Sequence, residues 1–320
     1  MALCNQHFRV GLEKCYDTMR KYIFLLAGFL CLLSNAQAQS GIDKNDLDSL
    51  RKYEEEMVLQ ADSMYQAPIV DLRGVYCEQL GRLLVKALKI KGSYTYPFEK
   101  LGEKISIIYP DDNAFRMFNW SMLNTEVTLR YYGAIQMNSD ELKLYPLFDH
   151  SDNLGKGAED SVFTNGRWFG ALYYRIMAHE TEYGTMYTLF GQNKSSIIST
   201  KKVMDPMVLS EQGPVFGFPV FRVRNERGTY VMQHRFIIEY KKEVQASLNW
   251  DDKMKAVYFD RLISQVNDPN RKYTYVPSGQ YDGFRWKDGR WDMVEDLIPI
   301  QEMKDGEAPA PQPRKKKRGE

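Results

Sequence analysis

Phe284-Arg285-Trp286-Lys287-Asp288-Gly289-Arg290-Trp291 alternates apolar and polar residues into an Asp-Gly pair and out again. Asp-Gly supplies the two positive-φ positions of a type I′ turn, whose twist matches that of paired strands. The segment therefore predicts a β-hairpin, and the same period-two pattern extends on both sides of it. Upstream candidate strands are Ile105–Tyr109, Phe115–Trp120, Val127–Met137, Leu142–Leu147, Trp168–Met177, Thr185–Phe190 and Thr200–Leu209. Val215–Phe221, Tyr230–Tyr240, Gln245–Trp250, Ala256–Leu262, Tyr273–Val276, Phe284–Trp286 and Trp291–Val294 complete the set. Asn165-Gly166, Asn225–Gly228 and Asp251-Asp252 are the turn signals between them.

Parallel strands need crossover helices, and no helix-length pattern follows residue 100, apart from a short turn near Leu262. The expected fold is mainly β: one large antiparallel domain over 97–300, built as a sandwich, a twisted sheet or a barrel. No clean internal repeat suggests a propeller. The preceding segment, 39–92, has helical spacing. A thin apolar stripe (Leu50, Tyr53, Met57, Met64) precedes Pro68, and a thicker one follows from Leu72 to Leu88, with Gly92 as the expected stop. Two helices packed on each other or on the next domain are expected.

Met19–Ser40 (MRKYIFLLAGFLCLLSNAQAQS) has a basic start at Arg20-Lys21, a short apolar run Tyr22–Leu33 and a small-x-small site at Ala36-Gln37-Ala38. That is the pattern of a cleaved signal peptide ending at residue 38, with residues 1–18 reading as an upstream start-site artefact. The expected location is exported, periplasmic or extracellular, with no transmembrane segment after cleavage. The Leu30 before Cys31 does not suit lipoprotein processing. Removal of residues 1–38 leaves 282 residues and Cys77 alone, so no internal disulfide is expected; Cys77 falls in the apolar helical pattern as a buried small hydrophobe. The remaining 39 basic and 40 acidic residues give no global field for a nucleic-acid partner. The end of the chain, 301–320, runs through Pro309, Pro311 and Pro313 into Arg314–Arg318. It reads as a disordered, solubilising tail whose cations can also touch anionic surfaces.

The sequence carries no catalytic signature. His179-Glu180-Thr181-Glu182 lacks the second histidine of a zinc-protease helix, because Tyr183 stands there. No Gly-x-Ser-x-Gly elbow or Gly-rich phosphate loop is present. His150, His179 and His234 are dispersed, without metal-ligand spacing. Asp111-Asp112-Asn113, Asp149/Asp152/Asn153 and Asn267/Asp268/Asn270 offer oxygen ligands that suit Ca²⁺, but none has calcium-loop spacing, and turn formation is their ordinary explanation. Asp149, Glu180, Glu239, Asp260 and Asp282 are carboxylates from which a glycosidase pair would be drawn. Aromatic residues make up 13% of the chain, with five Trp and 21 Tyr. Trp168, Tyr174, Trp250, Trp286 and Trp291 are the candidates for a ligand platform, against the alternative of sheet packing.

Tyr145–Asp152, Arg167–Tyr174, Tyr187–Gly191, Phe216–Phe221, Arg235–Tyr240, Phe259–Leu262 and Tyr281–Phe284 together resemble an uncharacterised family of exported proteins from Bacteroidetes-type bacteria. Phe115–Trp120 and Tyr131–Gln136 are similar to its upstream part. The resemblance implies export and a single β-rich unit; it implies no activity and no site residues. The expected role is non-catalytic: recognition or scaffolding of an envelope glycan or protein partner. The alternative is a carbohydrate- or peptide-active hydrolase using paired carboxylates of the β domain.

Overall fold

The computed structural model describes residues 42–125, 127–151, 155–225 and 228–299. The expected leader (1–38) and basic tail (301–320) lie outside the described residues. Among the described residues two helices come first, α1 (Lys44–Gln66) and α2 (Val70–Leu88). Asp43 caps α1 by accepting from the Asn45 N–H at 2.9 Å. Helix α2 stops at Leu88, short of Gly92; Gly92 instead takes φ +75° and turns the chain toward a one-turn helix, α3 (Glu99–Gly102). Leu50, Met57, Ala61 and Met64 of α1 recur at helical spacing and pack with Cys77, Leu80, Leu84 and Leu88 of α2.

Three sheets follow. The first is β1 (Ser106–Ile108), β2 (Phe115–Leu123), β3 (Leu129–Met137) and β4 (Leu144–Phe148), in that order. The second runs β5 (Phe163–Thr164), β9 (Gly213–Phe216), β8 (Ser199–Ser210), β7 (Gly184–Asn193), β6 (Leu172–Thr181), with β12 (Phe236–Lys241) also paired to β8. The third is β11 (Tyr230–Gln233), β10 (Phe221–Arg224), β16 (Arg290–Ile298), β15 (Tyr275–Lys287), β14 (Ala256–Ser264) and β13 (Leu248–Asp251).

Strand parity shows how these layers stack. On β2, Phe115 and Met117 enter a core shared with Tyr173, Tyr187, Leu189, Val203 and Met207 of the second sheet. Phe118, Trp120 and Met122 point the other way, into the helical core. On the second sheet, Phe190 and Met204 face a third core made with Phe259, Phe284 and Trp291 of the third sheet. The order is helices, first sheet, second sheet, third sheet. Middle strands are buried on both faces, which is why Phe115–Trp120 reads as almost unbroken burial.

The Asp288-Gly289 hairpin forms as read: Trp286 pairs with Trp291, Lys287 with Arg290, and the two turn residues take φ +50° and +74°. Other expectations are corrected. Val215–Phe221 is not one strand: Gly217 at φ +89° and Pro219, which has no N–H, break it. The chain thereby passes from the second sheet (β9) to the third (β10). Tyr230–Tyr240 divides likewise at His234-Arg235, whose N–H groups both donate to the Glu159 carbonyl instead of a neighbouring strand. Leu262 lies inside β14, beyond a register shift, and not in a turn. Of the expected strand Tyr273–Val276, the first two residues lie in a short helical turn at 272–274, and Tyr275-Val276 open the single long β15, which also covers Phe284–Trp286. Among the named strands of the described residues, pairing is antiparallel except between β10 and β16; an isolated bridge between Asp149 and Trp168 is also parallel.

Two buried cations tie the layers. Arg116, fully buried, donates to Gln136 Oε1 (2.8 Å) and to the carbonyls of Ser93 (2.8 Å) and Tyr96 (2.6 Å), over the rings of Phe98 and Phe118. Arg235 pairs with Asp205 at 2.7 Å; Asp205 also accepts from Tyr173 OH (2.9 Å), which in turn accepts from Trp168 Nε1 (3.2 Å).

Candidate functional site

The cleft that gathers the most chemistry lies where all three sheets meet. It has a volume of about 390 Å³ and is lined by Ile108 and Tyr109 at the end of β1, Asp111 in the following loop, Tyr174–Met177 of β6, and Trp250 and Asp252 around the end of β13. This size falls within the range of small-molecule sites.

Local irregularity aims the first ring. Tyr173 pairs with Gly191 and Arg175 with Phe190, so Tyr174 is the extra residue of a β-bulge. Bulges re-aim side chains, and here two consecutive residues, Tyr174 and Arg175, are exposed on one strand. Gly191 makes the preceding pair possible, since a Cβ there would stand 2.6 Å from the Tyr173 ring. Tyr174 OH then reaches across to the third sheet and donates to the Leu248 carbonyl at 2.6 Å. Burial, followed by the neighbouring Tyr240, holds its phenol above the ordinary range, so it stays a neutral donor. Lys202 Nζ sits 5.5 Å from the Tyr174 ring centroid, and its own pKa is lowered, first by burial.

The second ring is Trp250, half-buried. Its indole N–H donates to Asp252 Oδ1 at 2.9 Å, and Trp291 packs edge-on at 6.4 Å. Asp251 Oδ1 accepts from the N–H groups of Lys253 and Met254 (2.8 Å each), which fixes the turn carrying Asp252. Across the cleft, Tyr109 OH accepts from buried Arg116 at 3.3 Å. The result is a wall of rings with an apolar floor (Ile108, Ile176, Met177), two exposed carboxylates and one exposed guanidinium. Such a surface stacks on an apolar face and hydrogen-bonds a polar edge.

Of the five platform candidates, Tyr174 and Trp250 enter this cleft. Trp168 and Trp291 are fully buried and offer no face to a ligand. Trp168 donates to Tyr173 inside the core between the first and second sheets, and Trp291 donates to Thr188 Oγ1 at 3.0 Å inside the core between the second and third. Trp286 is half-buried and stacks on His179 at 4.1 Å, outside the cleft lining.

The five carboxylates considered for hydrolysis are each engaged elsewhere. Asp149 accepts from the N–H groups of Tyr131 (2.9 Å) and Ser151 (2.8 Å), Asp260 from that of Ser247 (2.6 Å), and Asp282 pairs with Arg261. Glu180 accepts from Thr185 (2.9 Å) and Glu239 from Ser199 (2.5 Å). None lines the cleft. Of the acidic loops, Asp112 accepts from the Ala114 N–H and Asp268 from the Asn270 N–H, as turn residues do, and Asp112 also accepts from Tyr187 OH of the second sheet. Asp152 and Asn153 lie outside the described residues. Among the described residues, no group of three or more His, Cys, Asp or Glu side chains could hold a metal ion.

Tyr109, Arg175 and Asp252 were not legible as site residues, because they come together only when β1, β6 and β13 meet from three different sheets. Asp111 carried a signal as a member of an acidic loop, and Asp252 only as half of the Asp251-Asp252 turn signal; both point to turns. Among the described residues no helix is long and apolar enough to cross a membrane. Comparison with protein-family models, with curated proteins and with solved structures finds no match to this chain.

Proposed function

We propose that this is an exported, non-catalytic recognition protein of the cell envelope whose cleft binds a glycan. The observation that carries the reading is the pairing of two rings, Tyr174 and Trp250, with Asp111, Asp252 and Arg175 around one cleft of about 390 Å³. A pyranose ring presents an apolar C–H face and a rim of hydroxyls, which matches flat rings bordered by carboxylate acceptors and a guanidinium donor. Export rests on the Met19–Ser40 pattern, and the resemblance to exported proteins agrees with it.

The test is thermal unfolding and calorimetry against a panel of envelope and plant glycans, with and without Ca²⁺. At a hundred times its Kd a ligand adds about 2.7 kcal/mol, a rise of roughly 5–10 °C for a domain of this size. Trp250→Ala and Asp252→Ala should abolish that rise. A flat panel, or binding unchanged in both variants, removes the glycan reading and turns the search toward a protein partner.

A second reading, a glycan hydrolase, is favoured by one observation: Asp111 and Asp252 line the same cleft. Release of reducing ends from a bound glycan, lost in Asp111→Asn and Asp252→Asn while binding persists, would select it over simple recognition.

A further inference from the structure

A second, larger hollow lies on the other side of the first sheet. It has a volume of about 790 Å³ and runs along α2, between Gly74, Cys77, Gly81 and Val85 of the helix and the rings of Trp120 and Tyr132. Those two rings, on paired strands β2 and β3, stack at 5.9 Å with their planes 12° apart and form a continuous apolar wall. Gly74, Gly81 and Val85 recur at the spacing of one helix face. Gly is the poorest helix former after Pro, yet a Cβ at Gly74 or Gly81 would meet nothing within 4 Å among the described residues. The packing of this chain does not call for either glycine; what their missing side chains leave is an open trough about 10 Å long between them.

Charge fixes the chemistry of the occupant. Three charged side chains border the trough: Glu78, Arg82 and Lys86. Glu78 and Arg82 neutralise one another at 2.6 Å. Lys86, one turn on, makes no ion pair among the described residues and is exposed at the end of the trough beside Val85. An apolar trough of small-molecule size that ends at an unpaired ammonium is complementary to an unbranched apolar chain carrying a terminal anion.

We propose that the α2 trough binds a free, monomeric fatty carboxylate, with its acyl chain along Gly74 and Gly81 against Trp120 and Tyr132 and its carboxylate at Lys86. The site is separate from the β1/β6/β13 cleft and stands whether or not a glycan binds there.

Calorimetry of the folded chain with octanoate, decanoate and dodecanoate, and with dodecanol as the uncharged control, tests it. Saturable binding that tightens with chain length is expected. Gly81→Leu fills the trough with a better helix former, so circular dichroism and Tm should hold while binding weakens by at least about tenfold. Lys86→Glu should weaken dodecanoate about tenfold and leave dodecanol unchanged. Absence of saturable binding, or binding unaffected by Gly81→Leu, overturns the proposal. So does binding to anionic vesicles alone, which would assign the trough to a membrane surface. Self-association that Gly81→Leu abolishes, without fatty-acid binding, overturns it in favour of a second copy of this chain.

Discussion

His179 should make the fold acid-sensitive, and by an amount the structure specifies. It sits on β6 opposite Met186, only 8% exposed, stacked on Trp286 at 4.1 Å and met edge-on by Trp291 at 5.1 Å. Its Nε2 has no hydrogen-bond partner among the described residues. Burial lowers its pKa from 6.5 to about 4. Between those values the unfolded chain holds a proton that the folded chain refuses, so stability falls as pH drops from 6.5 toward 4. At about 1.4 kcal/mol per pH unit, the loss approaches 3 kcal/mol, or roughly 6–12 °C in Tm. Asp205 and Glu159 have the opposite sign: burial raises both, so acidification favours their folded forms. A single pH profile therefore mixes opposing slopes, and the informative quantity is a difference. His179→Phe keeps a flat ring in the stack and removes the unpaired nitrogen. It should match or exceed wild-type stability near pH 7.5 by about 1 kcal/mol. That advantage should grow by about 3 kcal/mol as pH approaches 4. Urea melts of both proteins, followed by tryptophan fluorescence across this range, measure it. Parallel profiles for the two proteins would refute the burial argument for His179.

Removing the guanidinium in Arg235→Met strands the buried Asp205 carboxylate and should cost about 3–5 kcal/mol; adding Asp205→Asn should recover part of that in a double-mutant cycle. A Cβ at residue 170 would fall inside the Asp149 carboxylate. Gly170→Ala should therefore break the bonds from Tyr131 and Ser151 and lower stability by about 3–5 kcal/mol in chemical denaturation. In an Asp149→Ala background the same change should cost little, because the clash is gone. Gly289→Ala meets no atom within 4 Å but sits at φ +74°; a loss of about 1–2 kcal/mol in Tm-derived stability would report backbone strain alone.

Much of the fold was written locally. The Asp288-Gly289 hairpin, the helical stripes before residue 92 and the mainly β character follow from turn chemistry and side-chain period, which act within a few residues. The stacking of the sheets does not. Phe115–Trp120 reads as a strand, but its burial on both faces depends on helices below and a second sheet above. The passages of the chain between sheets at Gly217–Pro219 and at His234-Arg235 depend on partners far along the chain, such as Glu159 and Asp205. The site follows the same division. Tyr174 and Trp250 were visible as aromatic candidates, and so were Trp168 and Trp291, because composition cannot tell a platform from a core ring. Burial decided it: a bulge turns Tyr174 outward and the sheet end leaves Trp250 half open, while interior strands enclose the other two. Residue type and spacing determined which elements form; which faces remain open is a property of how those elements pack, and only the tertiary structure decides it.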